Sequence, residues 1–180
     1  MRRRRIVIDA DVARSAGPSG DSQSRPARCA RFLESLRDIC HLKVLTGALR
    51  KEWRSHRSGF FQEWRVSMWA RGSHKVAETE LRIDVTWREG ILRTAATPAD
   101  RAEMEKDLHL VEAALATDGI IVSCDEAARR RFAQAARTVR QLRNVVWVNP
   151  ARMDGEAARE WLEAGAPPRD EWKLGYRPDE

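Results

Sequence analysis

Four short, unbroken apolar runs punctuate this 180-residue chain: Ile6-Val7-Ile8, Val44-Leu45, Ile120-Ile121-Val122 and Val145-Val146-Trp147-Val148. Each is too short for a buried helix, and none alternates with polar residues as a strand with one wet face would. Between them lie stretches whose apolar residues keep helical spacing. Strands that are apolar on both faces belong in a parallel sheet covered on both sides and joined by right-handed helical crossovers. The expected fold class is therefore α/β: a three-layer α/β/α arrangement with a short parallel sheet of four to five strands flanked by helices.

The connecting segments can be read in the same terms. The first strand is expected over residues 6–12, and the Gly, Ser and Pro rich residues 14–25 form a loop. A helix over about residues 26–40 places Cys29, Phe32, Leu33, Leu36, Ile39 and Cys40 on one face. After a strand at residues 43–46, Thr46 is placed to cap a helix with Leu49, Trp53 and His56 on one side. A further helix from Gly59 to about Ala70 uses Phe60, Phe61, Trp64 and Met68. Residues 72–97 carry conflicting periods: Leu81, Ile83, Val85 and Trp87 alternate, whereas Leu81, Val85, Arg88 and Leu92 fit a helix, which is the preferred reading. Thr97-Pro98-Ala99-Asp100 has an N-cap, a proline at the first helical position and an acid at the third. That helix should run to about Thr117 and stop at Asp118-Gly119. Ser123-Cys124-Asp125-Glu126 repeats the N-cap spacing ahead of a helix that buries Ala128, Phe132, Ala135 and Ala136. Residues 1–150 are expected to form one domain. Residues 151–180, with Pro167-Pro168 and a short helical stretch over 155–164, are expected to be a tail packed on it.

Charge points to a partner class. The chain carries a net charge of +6, and residues 1–150 hold 28 basic and 19 acidic side chains. A basic body suggests a polyanionic partner, nucleic acid first. No apolar run approaches the ~20 residues needed to span a membrane. The three apolar residues after Arg2–Arg5 are too few for a signal-peptide core, so a cytoplasmic location is expected. Cys29, Cys40 and Cys124 are odd in number and lack CxxC spacing, as expected of reduced core thiols.

Four acids stand where such a fold places its ligands. Asp9 ends the first apolar run and Asp125 follows the third, and the carboxyl ends of parallel strands form the ligand edge of an open sheet. Glu52 lies at the border of an apolar helix face beside Trp53, and Asp107 adjoins the stripe of Met104, Leu108, Val111 and Leu115. Carboxylates are hard oxygen donors suited to Mg²⁺ or Mn²⁺. Asp11 is either a further outer ligand or a cap on its own turn, and Ser123 is placed to hydrogen-bond a carboxylate or a phosphate. Arg50, Lys51, Arg54, His56 and Arg57 surround Glu52, Arg71, His74 and Lys75 follow, and Lys106 and His109 flank Asp107. Such residues suit phosphate contacts. The seven Trp residues are mostly expected in the core.

Here the chain resembles the PIN-domain ribonucleases, many of them toxins of toxin–antitoxin pairs. The resemblance rests on Ile8-Asp9-Ala10-Asp11-Val12, on Lys51-Glu52-Trp53, on the continuous block from Asp107 through Ser123 to Asp125, and on Val145 to Pro150. It spans about residues 5–150. Asp11 stands where the family usually has Asn, and residues 57–97 are longer than in a short toxin. The resemblance implies a PIN-like fold and metal-dependent hydrolysis of RNA, with Asp9, Asp107, Asp125 and Glu52 as metal-binding and catalytic residues. It also implies an antitoxin partner and a homodimer. Two alternatives stay open. Asp9-Ala10-Asp11-Val12 also resembles the D-x-D motif of haloacid dehalogenase-type phosphatases, with Asp9 as nucleophile, and a non-catalytic nucleic-acid-binding protein could retain the same fold.

Overall fold

The computed structural model describes residues 3–39, 41–55, 59–70, 76–78 and 84–178, with backbone only for residues 69 and 76–78. Its strands are β1 (Arg5–Ile8), β2 (Leu42–Leu45), β3 (Val76–Glu78), β4 (Ile120–Val122) and β5 (Val146–Val148). They form one sheet in the order β3-β2-β1-β4-β5, and every adjacent pair is parallel. Ile6, Val7, Ile8, Ile120, Ile121, Val122, Val146, Trp147 and Val148 are all buried, as the unbroken apolar runs require.

The helices are α1 (Ala10–Ser15), α2 (Arg25–Asp38), α3 (Gly47–Ser55), α4 (Gly59–Ala70), α5 (Val85–Leu92), α6 (Pro98–Leu115), α7 (Glu126–Ala135) and α8 (Gly155–Glu163). α2 packs against α1, α4 and α8, while α6 packs against α5 and α7. The result is the expected three-layer α/β/α fold. Strand order runs outward from β1 in both directions, so the chain must change direction there. The crevice beyond the ends of β1 and β4 is the switch point at which open α/β sheets bind ligands.

Caps set several boundaries. Thr46 Oγ1 accepts from Leu49 N–H at 3.2 Å, and Thr97 Oγ1 accepts from Asp100 N–H at 3.0 Å. Each satisfies a donor that the first helical turn leaves without a partner. Trp53, Phe61 and Trp64 are buried in the core. The Trp53 ring packs at a tilt against Phe61 and Trp64, with ring centroids 4.9 and 5.6 Å apart. Trp64 Nε1 donates to Leu33 O at 2.6 Å, joining α4 to α2.

Two local expectations are corrected. The first strand ends at Ile8 rather than continuing to residue 12. Asp9 caps α1 instead, and Ala10, Val12 and Ala13 turn into the core with helical spacing. The region expected to be helical over 72–97 contains the strand β3 as well as α5. Three residues are too few to show a period, and β3 is held by parallel pairing of Val76, Ala77 and Glu78 with Lys43, Val44 and Leu45. Leu81 and Ile83, which carried that ambiguity, lie outside the described residues.

Residues after 150 contact the sheet and α2. Val146 bridges Lys173 in antiparallel fashion, and Leu174 N–H donates to Val145 O at 2.8 Å. The buried His41 ring joins three segments: Nε2 donates to Leu162 O at 2.7 Å, and Nδ1 accepts from Arg4 N–H at 3.1 Å. Among the described residues no helix is long and apolar enough to cross a membrane.

Candidate active site

Asp9 is the first residue beyond β1, and its N–H still pairs with Val122 O of β4 at 3.0 Å. Its backbone is extended, and its Oδ1 accepts from Asp11 N–H at 3.1 Å, which caps α1. Ser123 occupies the matching place after β4, with its N–H on Val148 O at 3.0 Å. Its fully buried hydroxyl donates to Asp9 Oδ2 at 2.8 Å and accepts from Asp125 N–H at 3.0 Å. Asp11 does not cap its own turn. Its carboxylate accepts from Cys124 N–H, 3.0 Å from Oδ2 and 3.3 Å from Oδ1. Asp125 Oδ1 caps α7 through Ala128 N–H at 2.8 Å. The turns after β1 and β4 are thus laced together, and each carboxylate is fixed by one or two donors with lone pairs left over.

The remaining acids come from the helices. α3 contacts both α1 and α6, which brings Glu52 and Asp107 toward the same crevice. His109, two residues after Asp107 on α6, has Nε2 3.3 Å from Glu52 Oε2. Its Nδ1 donates to Lys106 O at 3.0 Å. A ring that donates from Nδ1 and faces a carboxylate through Nε2 is best satisfied as the imidazolium. Burial works against that charge, but the Glu52 carboxylate and the Lys106 carbonyl outweigh it, and the His109 pKa is raised.

Electrostatics show how closely these groups are gathered. Burial is the main cause that raises the Asp9 pKa; the Asp11 amide and Ser123 hydroxyl oppose it, and Glu52 adds to it. Burial and then the Asp9 charge push Asp11 up to about 7, against the Cys124 N–H, with Asp125 contributing in the same direction. Burial and then Asp9 push Asp107 up to about 6, and Asp125 adds to this. Carboxylates from β1–α1, α6 and the β4–α7 turn therefore repel one another in one half-buried crevice. That field attracts a cation.

The donor set fits a hard divalent ion, because it is all oxygen and carries excess negative charge. Among the described residues, however, no three Asp, Glu, His or Cys side chains converge as a ready-made cage. The four acids are neighbours in field rather than a closed ligand shell. Of the basic residues expected to meet phosphate, Lys51 and Arg54 are exposed and Arg50 is half-buried. His56, Arg57, Arg71, His74 and Lys75 lie outside the described residues, as does Cys40. His109 turns to Glu52 and is not a free surface cation. The buried thiols Cys29 and Cys124 face each other with sulfurs 3.5 Å apart, just behind the Ser123 turn.

Sequence reading did not pair His109 with Glu52; their separation of more than fifty residues leaves no local signal. Asp11 was flagged, but its tie to Cys124 depends on the β1–β4 pairing. No protein-family model, curated protein or solved structure was found to match this chain.

Proposed function

We propose that this chain is a metal-dependent ribonuclease of the PIN type, hydrolysing RNA phosphodiester bonds in the acidic crevice beyond β1 and β4. The observation that carries the reading is the gathering of Asp9, Asp107, Asp125 and Glu52, from four separate segments, at the point where strand order reverses. Asp9, Asp107 and Asp125 would hold Mg²⁺ or Mn²⁺, with Glu52 beside them. A divalent ion so held supplies a grip on a phosphate oxygen and a bound water of lowered pKa.

The chain's own residues prepare that chemistry. Ser123 fixes Asp9 in one orientation, and such hydrogen bonds to ligating groups tune both affinity and activity. Cys124 N–H does the same for Asp11. His109 orients Glu52, which is thereby available to accept a proton from an attacking water. The basic body favours a polyanionic substrate, RNA ahead of DNA by the family resemblance alone. The same reading carries a cytoplasmic setting, a homodimer and an antitoxin partner that would present Arg or Lys to the acids.

The test is incubation of the purified chain with a defined RNA and with single-stranded DNA, in Mn²⁺ and in chelator, followed by mapping of product ends. Metal-dependent cuts leaving 5′-phosphate and 3′-hydroxyl ends on RNA support the reading. A covalent phosphoryl adduct on Asp9 with a phosphate monoester would assign the phosphatase reading instead.

A further inference from the structure

A second feature lies on the other flank of α3. Lys43, on β2, is only 5 % exposed. Its ammonium sits 3.0 Å over the Trp53 ring centroid and 5.5 Å from that of Trp64. Among the described residues it has no hydrogen-bond or ion-pair partner. A buried charge with no counter-charge costs several kcal/mol, more than a cation–π contact of about 2 kcal/mol returns. Burial, with Arg65 second, accordingly holds the Lys43 pKa well below the usual lysine range. An anion seated beside it would favour the charged form and offset that burial.

The space for that partner is present. Lys43 opens into a cavity of about 460 Å³, lined also by Arg50, Arg54 and Arg65, with Leu45 and Val66 on its apolar side. None of the described residues that line it is acidic. Arg65 is steadied by its own hydrogen bond to Gln62 Oε1 at 2.9 Å. Three guanidinium groups around a buried amine that an anion would help to charge suit a doubly charged phosphate better than a single carboxylate. The volume falls in the range of small-ligand pockets.

We propose that this pocket binds a phosphate monoester of about mononucleotide size, its phosphate seated among Lys43, Arg50, Arg54 and Arg65 and its organic part against Leu45 and Val66. The same chemistry is offered by a free nucleotide and by the 5′-phosphorylated end of a strand. The proposal does not rest on the acidic crevice being catalytic.

The experiment is calorimetric titration of the full chain, in chelator, with adenosine 5′-monophosphate, adenosine, inorganic phosphate, and a short oligoribonucleotide with and without a 5′-phosphate. Adenosine 5′-monophosphate or the phosphorylated oligomer should bind, and adenosine and the 5′-hydroxyl oligomer should not. Tighter binding of the oligomer assigns the strand end, and tighter binding of the mononucleotide assigns the free ligand. Lys43→Met keeps the apolar stem against Trp53 and removes the buried charge, so it should fold. Lys43→Met and Arg65→Ala should each weaken binding about tenfold or more, the loss of one charge-assisted contact. Asp9→Asn should leave it unchanged. No binding of any phosphorylated probe at millimolar concentration, or binding that survives both Lys43→Met and Arg65→Ala, overturns the proposal.

Discussion

Ser123 Oγ donates a 2.8 Å hydrogen bond to Asp9 Oδ2, tying the residue that follows β4 to the residue that follows β1. The same oxygen accepts from Asp125 N–H, so one hydroxyl orients two of the four acids. Ser123→Ala should therefore lower metal-dependent RNA cleavage by roughly 10–100-fold, the usual loss when a hydrogen bond to a ligating group is removed. The stability loss should be about 1 kcal/mol, because one buried amide and one carboxylate each lose a partner. Steady-state cleavage and chemical denaturation of the same preparation separate the two effects.

The acids make stability depend on pH in a direction opposite to that of an ordinary salt-bridged carboxylate. Asp11 is pushed up to about 7 and Asp107 to about 6, and Asp9 is also raised. A folded state that holds protons the unfolded chain has released loses stability as pH rises from about 4 to 7. His109 acts in the same sense: its pKa is raised, so its contribution is full below the unfolded histidine value and lost as pH climbs through the folded one. The metal-free protein should be more stable near pH 5 than near pH 8, with Asp11 alone contributing about 3 kcal/mol of that difference. Asp11→Asn should flatten the profile and stabilise the protein at the higher pH. Thermal melts in chelator across that range check both statements.

Added Mn²⁺ should reverse that trend. A cation bound among ionised carboxylates stabilises the folded state by mass action, and it competes with protons for the same oxygens. The rise in Tm on adding Mn²⁺ should be larger near pH 8 than near pH 5. Equal rises at both pH values would show that the raised carboxyls do not take part in binding.

Away from the crevice, Arg88 of α5 holds the buried Glu112 of α6 through two hydrogen bonds, Nε to Oε1 and Nη2 to Oε2, the second at 2.6 Å. Arg88→Ala would leave a carboxylate with 7 % of its side chain exposed and no cation beside it. The expected loss is about 2 kcal/mol, below that of a fully buried pair because the arginine is one-third exposed. Adding Glu112→Gln should recover part of it, measurable as a double-mutant cycle.

The layer order and most helix boundaries were legible because their causes are local. Thr97 and Asp125 announce their helices by cap spacing, and Ile120-Ile121-Val122 declares a strand buried on both faces. What was not legible depends on pairing between distant segments. Val76–Glu78 is a strand only because β2 lies beside it. Asp9 and Asp11 look like a strand end until Ala10, Val12 and Ala13 are seen to turn inward as a helix. Lys43 reads as an ordinary strand residue, and only the packing of α3 and α4 reveals a buried cation. The four acids were found from their positions at strand ends and helix borders, but His109, which faces Glu52, comes from elsewhere in the fold, as does Cys124 N–H, which holds Asp11.

The central claim is that Asp9 anchors a metal-dependent phosphodiesterase site, and Asp9→Asn tests it most directly. Asparagine is as good an N-cap as aspartate, so α1 and the fold should persist, and circular dichroism and Tm confirm that before activity is read. The decisive measurement is the rate of Mn²⁺-dependent cleavage of a defined RNA by the wild-type chain and by Asp9→Asn. The account predicts cleavage by the first that is abolished by chelator, and a loss of about a thousandfold or more in the second, as expected when a central catalytic group is removed. Equal cleavage by both, or no Mn²⁺-dependent cleavage by the folded wild-type chain, would contradict it.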